Sequence, residues 1–169
     1  MNQLATPPMP ESLSKFDFFV LRDSLRDLHE RFSQSELATR FSDEQIEVIY
    51  SVGHGLFMQG KFEQALNVFK LIMLYRPLDA RNMEAYATTL KRLGRFEEAI
   101  PVFMAAMMFG EMAQPMPAVH IAECLAALGR SQESASLLQP VLDLAEVNEA
   151  YGDVRTRAET LLAILKKGT

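Results

Sequence analysis

His120 and Cys124 stand four residues apart, a spacing that puts an imidazole and a thiol on one helix face where both could touch a metal ion. Zinc sites draw on three or four such ligands. The chain has 3 histidines and 1 cysteine, with no second pair near these two. We therefore expect a packed thiol beside a half-buried imidazole, and no metal. His29 and His54 are isolated in the sequence and are expected on the surface or in a groove. Asp43-Glu44 and Glu97-Glu98 fall at expected helix starts, where carboxylates complement the macrodipole rather than form a general-acid pair. The phosphate-binding pattern G-x-x-x-x-G-K-S/T, the dinucleotide pattern G-x-G-x-x-G and the nucleophile elbow G-x-S-x-G do not occur. Gly53-His54-Gly55 is too short for a phosphate loop and is better explained by helix packing. The expectation is no catalytic residue, no cofactor and no enzyme.

The elements that would position these groups are helical. Gly60-Lys-Phe62-Glu-Gln-Ala65-Leu-Asn-Val-Phe69 aligns with Gly94-Arg-Phe96-Glu-Glu-Ala99-Ile-Pro-Val-Phe103 at a constant offset of 34, and Gly129-Arg-Ser131-Gln-Glu-Ser134 follows 35 residues later. Upstream of each glycine lies a helical apolar pattern: Ile49, Val52, Gly53, Leu56; then Met83, Tyr86, Ala87, Leu90; then Ala118, Ile121, Ala122, Leu125. Gly60, Gly94 and Gly129 permit the left-handed turn that ends a first helix. Gly53, Ala87 and Ala122 let paired helices approach closely, with Ala65, Ala99 and Ser134 as small partners. Pro77 marks a stop. Ser42-Asp-Glu-Gln45 is a capping box opening the first pair. Pro101 and Pro140 fall inside second helices, where each removes a backbone bond and should bend the helix.

Residues 1–13, with Pro7, Pro8 and Pro10, are expected to be a flexible tail. Residues 14–41 form an N-terminal helical segment in which Phe18, Leu21, Leu25, Leu28 and Phe32 recur at steps of three and four. That stripe packs either on its own chain or against a second protomer. Helix pairs fill 42–147, and 148–169 is an amphipathic capping helix with Val154, Ala158, Leu161, Leu162 and Leu165 on one face.

A 34-residue period with these small residues resembles the tetratricopeptide repeat. The fold class implied is all-α: a solenoid of three helix pairs with an N-terminal helical segment and a C-terminal capping helix. In such arrays positions two, five, nine, twelve and thirteen face inward. They map onto Glu47, Tyr50, His54, Phe57 and Met58; onto Arg81, Glu84, Thr88, Lys91 and Arg92; and onto Met116, Val119, Glu123, Ala126 and Ala127. Tyr50 and Phe57 are surplus to the Ile49, Val52 and Leu56 stripe, which favours a binding face for an extended ligand with apolar anchors. Met58, Met73, Met104, Met107, Met108 and Met112 could add adaptable packing, although most of the 10 methionines are expected in the core.

The 169 residues carry 49% hydrophobic and 23% charged side chains and a net charge of -5, so neither nucleic acid nor an anionic membrane is expected as the main partner. The longest apolar run, Val102 to Phe109, is far shorter than the roughly 18–20 residues a membrane span needs, so no stable membrane insertion is expected. With a single cysteine and no signal-like N-terminus, we expect a soluble, intracellular, single-domain protein.

Two segments sharpen the resemblance. Tyr50-Ser-Val-Gly-His-Gly-Leu-Phe57-Met-Gln-Gly-Lys-Phe62 is similar to Y-S-x-A/G-x-x-x-Y/F-x-x-G-K-Y/F, and His120-Ile-Ala-Glu-Cys-Leu-Ala-Ala-Leu-Gly129 is similar to H-A-A-E-C-L-x-x-x-G. Both patterns belong to the class II chaperones of bacterial type III secretion systems, and the likeness runs from about residue 36 to the C-terminal helix. It implies a cytoplasmic chaperone that holds hydrophobic, pore-forming translocators soluble and unassembled before export, with a client segment lying extended in the groove. The aromatic pocket positions carry over onto Tyr50, Phe57 and Phe62; together with inward-facing repeat positions, the expected client-binding residues are Tyr50, His54, Phe57, Met58, Phe62, Glu84, Thr88, Lys91, Val119 and Glu123. The Phe18-to-Phe32 stripe would make a homodimer. The alternative is a tetratricopeptide adapter docking a peptide or folded partner in another assembly.

Overall fold

A computed structural model describes residues 40–110 and 114–167, together with Ser24, Asp27, Glu30, Arg31 and Gln34. Ser24, Asp27, Glu30 and Arg31 are helical and exposed, and Arg31 pairs with Asp27 at 2.6 Å. The expected tail and the stripe Phe18, Leu21, Leu25, Leu28 and Phe32 lie outside the described residues.

Seven α-helices follow: α1 Asp43–Met58, α2 Phe62–Tyr75, α3 Ala80–Arg92, α4 Phe96–Phe109, α5 Met116–Ala127, α6 Ser131–Glu146 and α7 Gly152–Lys167, with a 3-10 turn Glu149–Tyr151 before the last. No strand occurs among the described residues. The fold is all-α, as expected. It comprises two compact units, α1–α4 and α5–α7, divided between the second and third helix pairs.

Local chemistry sets the ends of these helices. Ser42 Oγ accepts from the Gln45 amide at 3.3 Å while Gln45 Oε1 accepts from the Ser42 amide at 2.9 Å, the reciprocal capping box expected for α1. Each first helix ends in the same way. Gly60, Gly94 and Gly129 have φ of 75°, 75° and 76°. The glycine amides donate to Phe57, Lys91 and Ala126, and the next residues' amides to Leu56, Leu90 and Leu125. Those are the two bonds of a Schellman motif, and they satisfy carbonyls that the helix leaves open. The second helices start beyond Lys61, Arg95 and Arg130 without a side-chain cap. Arg95 and Arg130 instead reach forward in bidentate pairs to Glu98 and Glu133 at 2.6–2.7 Å. Helices α4 and α6 run on through Pro101 and Pro140.

In the first unit, Ile46 of α1 packs with Ala65, Phe69, Ile72 and Tyr75 of α2. Gly53 is the close-approach point: a Cβ there would meet Phe69 Cε1 at 2.9 Å and Val68 Cγ1 at 3.0 Å. Between α3 and α4, Met83, Ala105 and Ala106 form a second cluster, flanked by Met73, Val102 and Phe109. Of the methionines singled out above, Met104 is buried, Met73, Met107 and Met108 are half-buried, Met58 is exposed, and Met112 lies outside the described residues. One expectation needs correction. Val52 does not belong to the core stripe of α1; it is 53% exposed, as is Val48 at 64%.

In the second unit, the buried Ser134 hydroxyl donates to the Ala122 carbonyl at 2.7 Å, which brings α5 and α6 together at the two small residues expected to meet. Helix α7 packs on α5 and α6 through Val154 and Ala158, both buried, and so caps this unit.

Candidate functional site

The sequence places Tyr50, His54, Phe57 and Met58 on α1, Phe62 at the first position of α2, and Glu84, Thr88 and Lys91 on α3. The structure brings Phe57 and Phe62 into contact and sets Glu84 near enough to Tyr50 for its charge to be felt there. Tyr50 is half-buried with its ring 5.6 Å from that of Phe69, so the core of the α1–α2 pair backs it directly. Phe57 and Phe62 meet edge to face at 5.3 Å. Such ring pairs add about 0.5–1.5 kcal/mol beyond their buried area, so these aromatics are held rather than mobile.

Arginines lie over both aromatic groups. The Arg81 guanidinium sits 4.2 Å from the Tyr50 ring centre and pairs with Glu47, while that of Arg92 sits 5.0 Å from the Phe62 ring centre. Glu47, Arg81 and Arg92 occupy inward-facing positions by register but are not among the site residues expected from the sequence. The missed signal is that Glu47 and Arg81 are 34 residues apart, one repeat length, and carry opposite charges. Burial pushes the Tyr50 phenol up from its usual range, and the Arg81 charge opposes that shift.

Glu84 lies one turn beyond Arg81 on α3. It is half-buried, and burial pushes its carboxyl up from the usual carboxylate range. Thr88 and Lys91 are half-buried too, whereas His54 and Met58 are exposed.

The two candidates on α5 behave differently. Val119 is fully buried and offers no surface to a ligand in this conformation. Glu123 accepts from Arg157 of α7 at 2.6 Å and lies 3.2 Å from His120 Nδ1, so its carboxylate has two partners within its own unit. Cys124 is fully buried beside it. His120 and Cys124 are thus packed as anticipated, and no group of three or more potential metal ligands is found among the described residues.

No family model matches the chain. Low calcium response locus protein H of Yersinia pestis is 23% identical over 130 residues, which cover 77% of each chain. Among solved structures, a type III secretion complex from Aeromonas hydrophila superposes with a TM-score of 0.73 at 21% identity, covering 86% of this chain and 97% of that one. The Yersinia enterocolitica type III secretion chaperone SycD, solved with a peptide of the translocator YopD, gives a TM-score of 0.69 at 23% identity, covering 76% and 98%. In fold, and in sequence over three quarters of its length, the protein is therefore similar to translocator chaperones of type III secretion.

Proposed function

We propose that the protein is a cytoplasmic bacterial chaperone that binds an extended segment of hydrophobic translocators and keeps them soluble, unassembled and competent for export. The observation that carries this reading is the half-buried aromatic group Tyr50, Phe57 and Phe62, flanked by Arg81 and Arg92, on one face of the first unit. Rings fixed from behind by core packing offer apolar area at little entropic cost, while the cations beside them keep the face wet in the absence of a client.

The activity is binding, without chemistry. Three apolar anchors of a client, each contributing about 1.5–3 kcal/mol, give a gross gain of roughly 5–9 kcal/mol. Association and ordering costs offset a large part of it. A micromolar Kd needs about 8 kcal/mol net, so a single client segment held by these anchors alone should bind more weakly than that, and firm retention requires contacts elsewhere. One source is a second protomer held through Phe18, Leu21, Leu25, Leu28 and Phe32. SycD, solved with a translocator peptide, supports the client class by its similarity to this chain.

Co-expression with the translocators of the same secretion system tests the reading. Soluble translocator that co-purifies with the chain is the expected result; insoluble translocator in its presence contradicts it. Tyr50→Ala and Phe57→Ala should each weaken capture by about tenfold or more, while Tyr50→Phe, which keeps the ring beneath Arg81, should bind nearly as the parent does.

A further inference from the structure

Glu84 is the charged group on this face whose place the fold alone does not explain. Glu47 is held by Arg81, and Arg81 also covers Tyr50; Arg92 covers Phe62. Glu84 is half-buried, yet it makes no ion pair and no hydrogen bond among the described residues. Its counterpart one repeat earlier is Tyr50, whose phenol senses the Glu84 charge and supplies no opposite one.

Resting on the binding role proposed above, we infer that Glu84 is a specificity determinant that receives a lysine or arginine side chain of the bound segment, set between its apolar anchors. Glu84 occupies on α3 the repeat position that Tyr50 occupies on α1, and its charge is felt at the Tyr50 phenol, so a ligand lying over Tyr50 and crossing to α3 covers it. An apolar side chain at that point would finish desolvating the carboxylate and return nothing, a substantial penalty for a charged group. A cation replaces the lost water with a charge-assisted hydrogen bond, which is stronger than one from a neutral amide. Arg81 is held by Glu47 and Tyr50, Arg92 covers Phe62, and Lys91, two turns along α3, is engaged elsewhere; none of these cations pairs with Glu84, so the ligand has to bring its own. The face would thereby distinguish segments of equal apolar content by the position of one basic residue.

A phage-displayed library of random 16-residue peptides, selected on the full chain and on its Glu84→Gln and Glu84→Leu variants, tests this. The parent should enrich peptides with apolar anchors and one Lys or Arg at a fixed register. Both variants should lose the basic preference while keeping the anchors. For the most enriched peptide, titration calorimetry should show an affinity loss of about tenfold to a hundredfold on Glu84→Leu. Replacing the peptide's basic residue by Met should produce a similar loss on the parent and almost none on Glu84→Leu. Anchors enriched without a basic residue, equally on all three proteins, overturn the inference and leave the binding role standing. Loss of every peptide on Glu84→Leu, whatever its charge, assigns the contact to a backbone N–H and also overturns it. If no apolar anchors are enriched on any of the proteins, the binding role fails and the inference fails with it.

Discussion

Adding one methyl group to each of two glycines on α1 isolates the close packing of the first helix pair from helix propensity. Gly53 and Gly55 lie two residues apart in the same helix. A Cβ at Gly55 meets nothing within 4 Å; at Gly53 it meets Phe69 Cε1 at 2.9 Å, Val68 Cγ1 at 3.0 Å and Phe69 Cζ at 3.2 Å. Gly→Ala inside a helix stabilises by about 0.5–1 kcal/mol when nothing is touched, and Gly55→Ala should show that gain. Gly53→Ala has the same propensity gain, but Phe69 is 1% exposed and cannot swing out, so overpacking should cost about 1–3 kcal/mol. The difference between the two variants is thus expected at about 1–3 kcal/mol, read as the shift in urea midpoint by far-UV circular dichroism. A double-mutant cycle adds a second check, because Phe69→Leu removes two of the three crowding atoms. In that background Gly53→Ala should cost less than it does alone, giving a favourable coupling on the order of 1 kcal/mol. Equal stabilisation by Gly53→Ala and Gly55→Ala would refute the reasoning. Phe69 also backs Tyr50, so Gly53→Ala should weaken ligand binding where Gly55→Ala does not.

Three further outcomes follow from the same structure. Gly94→Ala, at φ 75° with open space around it, should lose about 1 kcal/mol through backbone strain alone, and Gly94→Asn less, measured by thermal denaturation. The Glu47–Arg81 pair is about half exposed on both sides, so a Glu47→Gln, Arg81→Met cycle should give a coupling below about 1 kcal/mol that shrinks in 1 M salt. Burial raises the Glu84 carboxyl, so the folded chain holds that proton more tightly than the unfolded chain and loses stability as pH rises through the interval between the two values. Glu84→Gln should therefore be the more stable protein at pH 7.5, with an advantage that fades as pH falls to the ordinary carboxylate range. A gap in urea midpoint that widens on acidification would contradict this assignment.

The parts of the fold that depend on local backbone chemistry were legible in the sequence. A glycine at a fixed place in a repeat can be recognised because an αL residue is needed there, and all three turns close with the same two hydrogen bonds. The Ser42–Gln45 box is equally local. Residues whose surroundings depend on a neighbouring repeat were not legible. Val48 and Val52 of α1 correspond, one repeat on, to Asn82 and Tyr86 of α3. Asn82 is fully buried, with its side-chain amide donating to the Phe69 carbonyl of the preceding helix at 3.3 Å, and Tyr86 is half-buried. Burial at those positions is supplied by the preceding pair, and among the described residues α1 has none. Apolar periodicity records the face and not whether anything covers it, which is why the pattern alone puts Val52 in the core although it is exposed. Val119 is the opposite case: an inward position by register that is fully buried.

Register explains the charges of the candidate site as well. Glu47 and Arg81 are separated by one repeat length, and Glu123 and Arg157 by the same 34 residues, so each pair joins equivalent positions on helices one repeat apart, the capping helix α7 standing in for a first helix in the second case. Opposite charges at equal register hold neighbouring helices together, and a carboxylate so engaged is satisfied before any ligand arrives. Glu123 is of this kind despite its inward position, and its removal should register in stability of the α5–α7 unit before it registers in binding. Glu84 meets a phenol at the equivalent position and remains unsatisfied. The inward-facing acids therefore divide by whether a partner stands one repeat away: those with one hold the helices together, and the one without is left for the ligand.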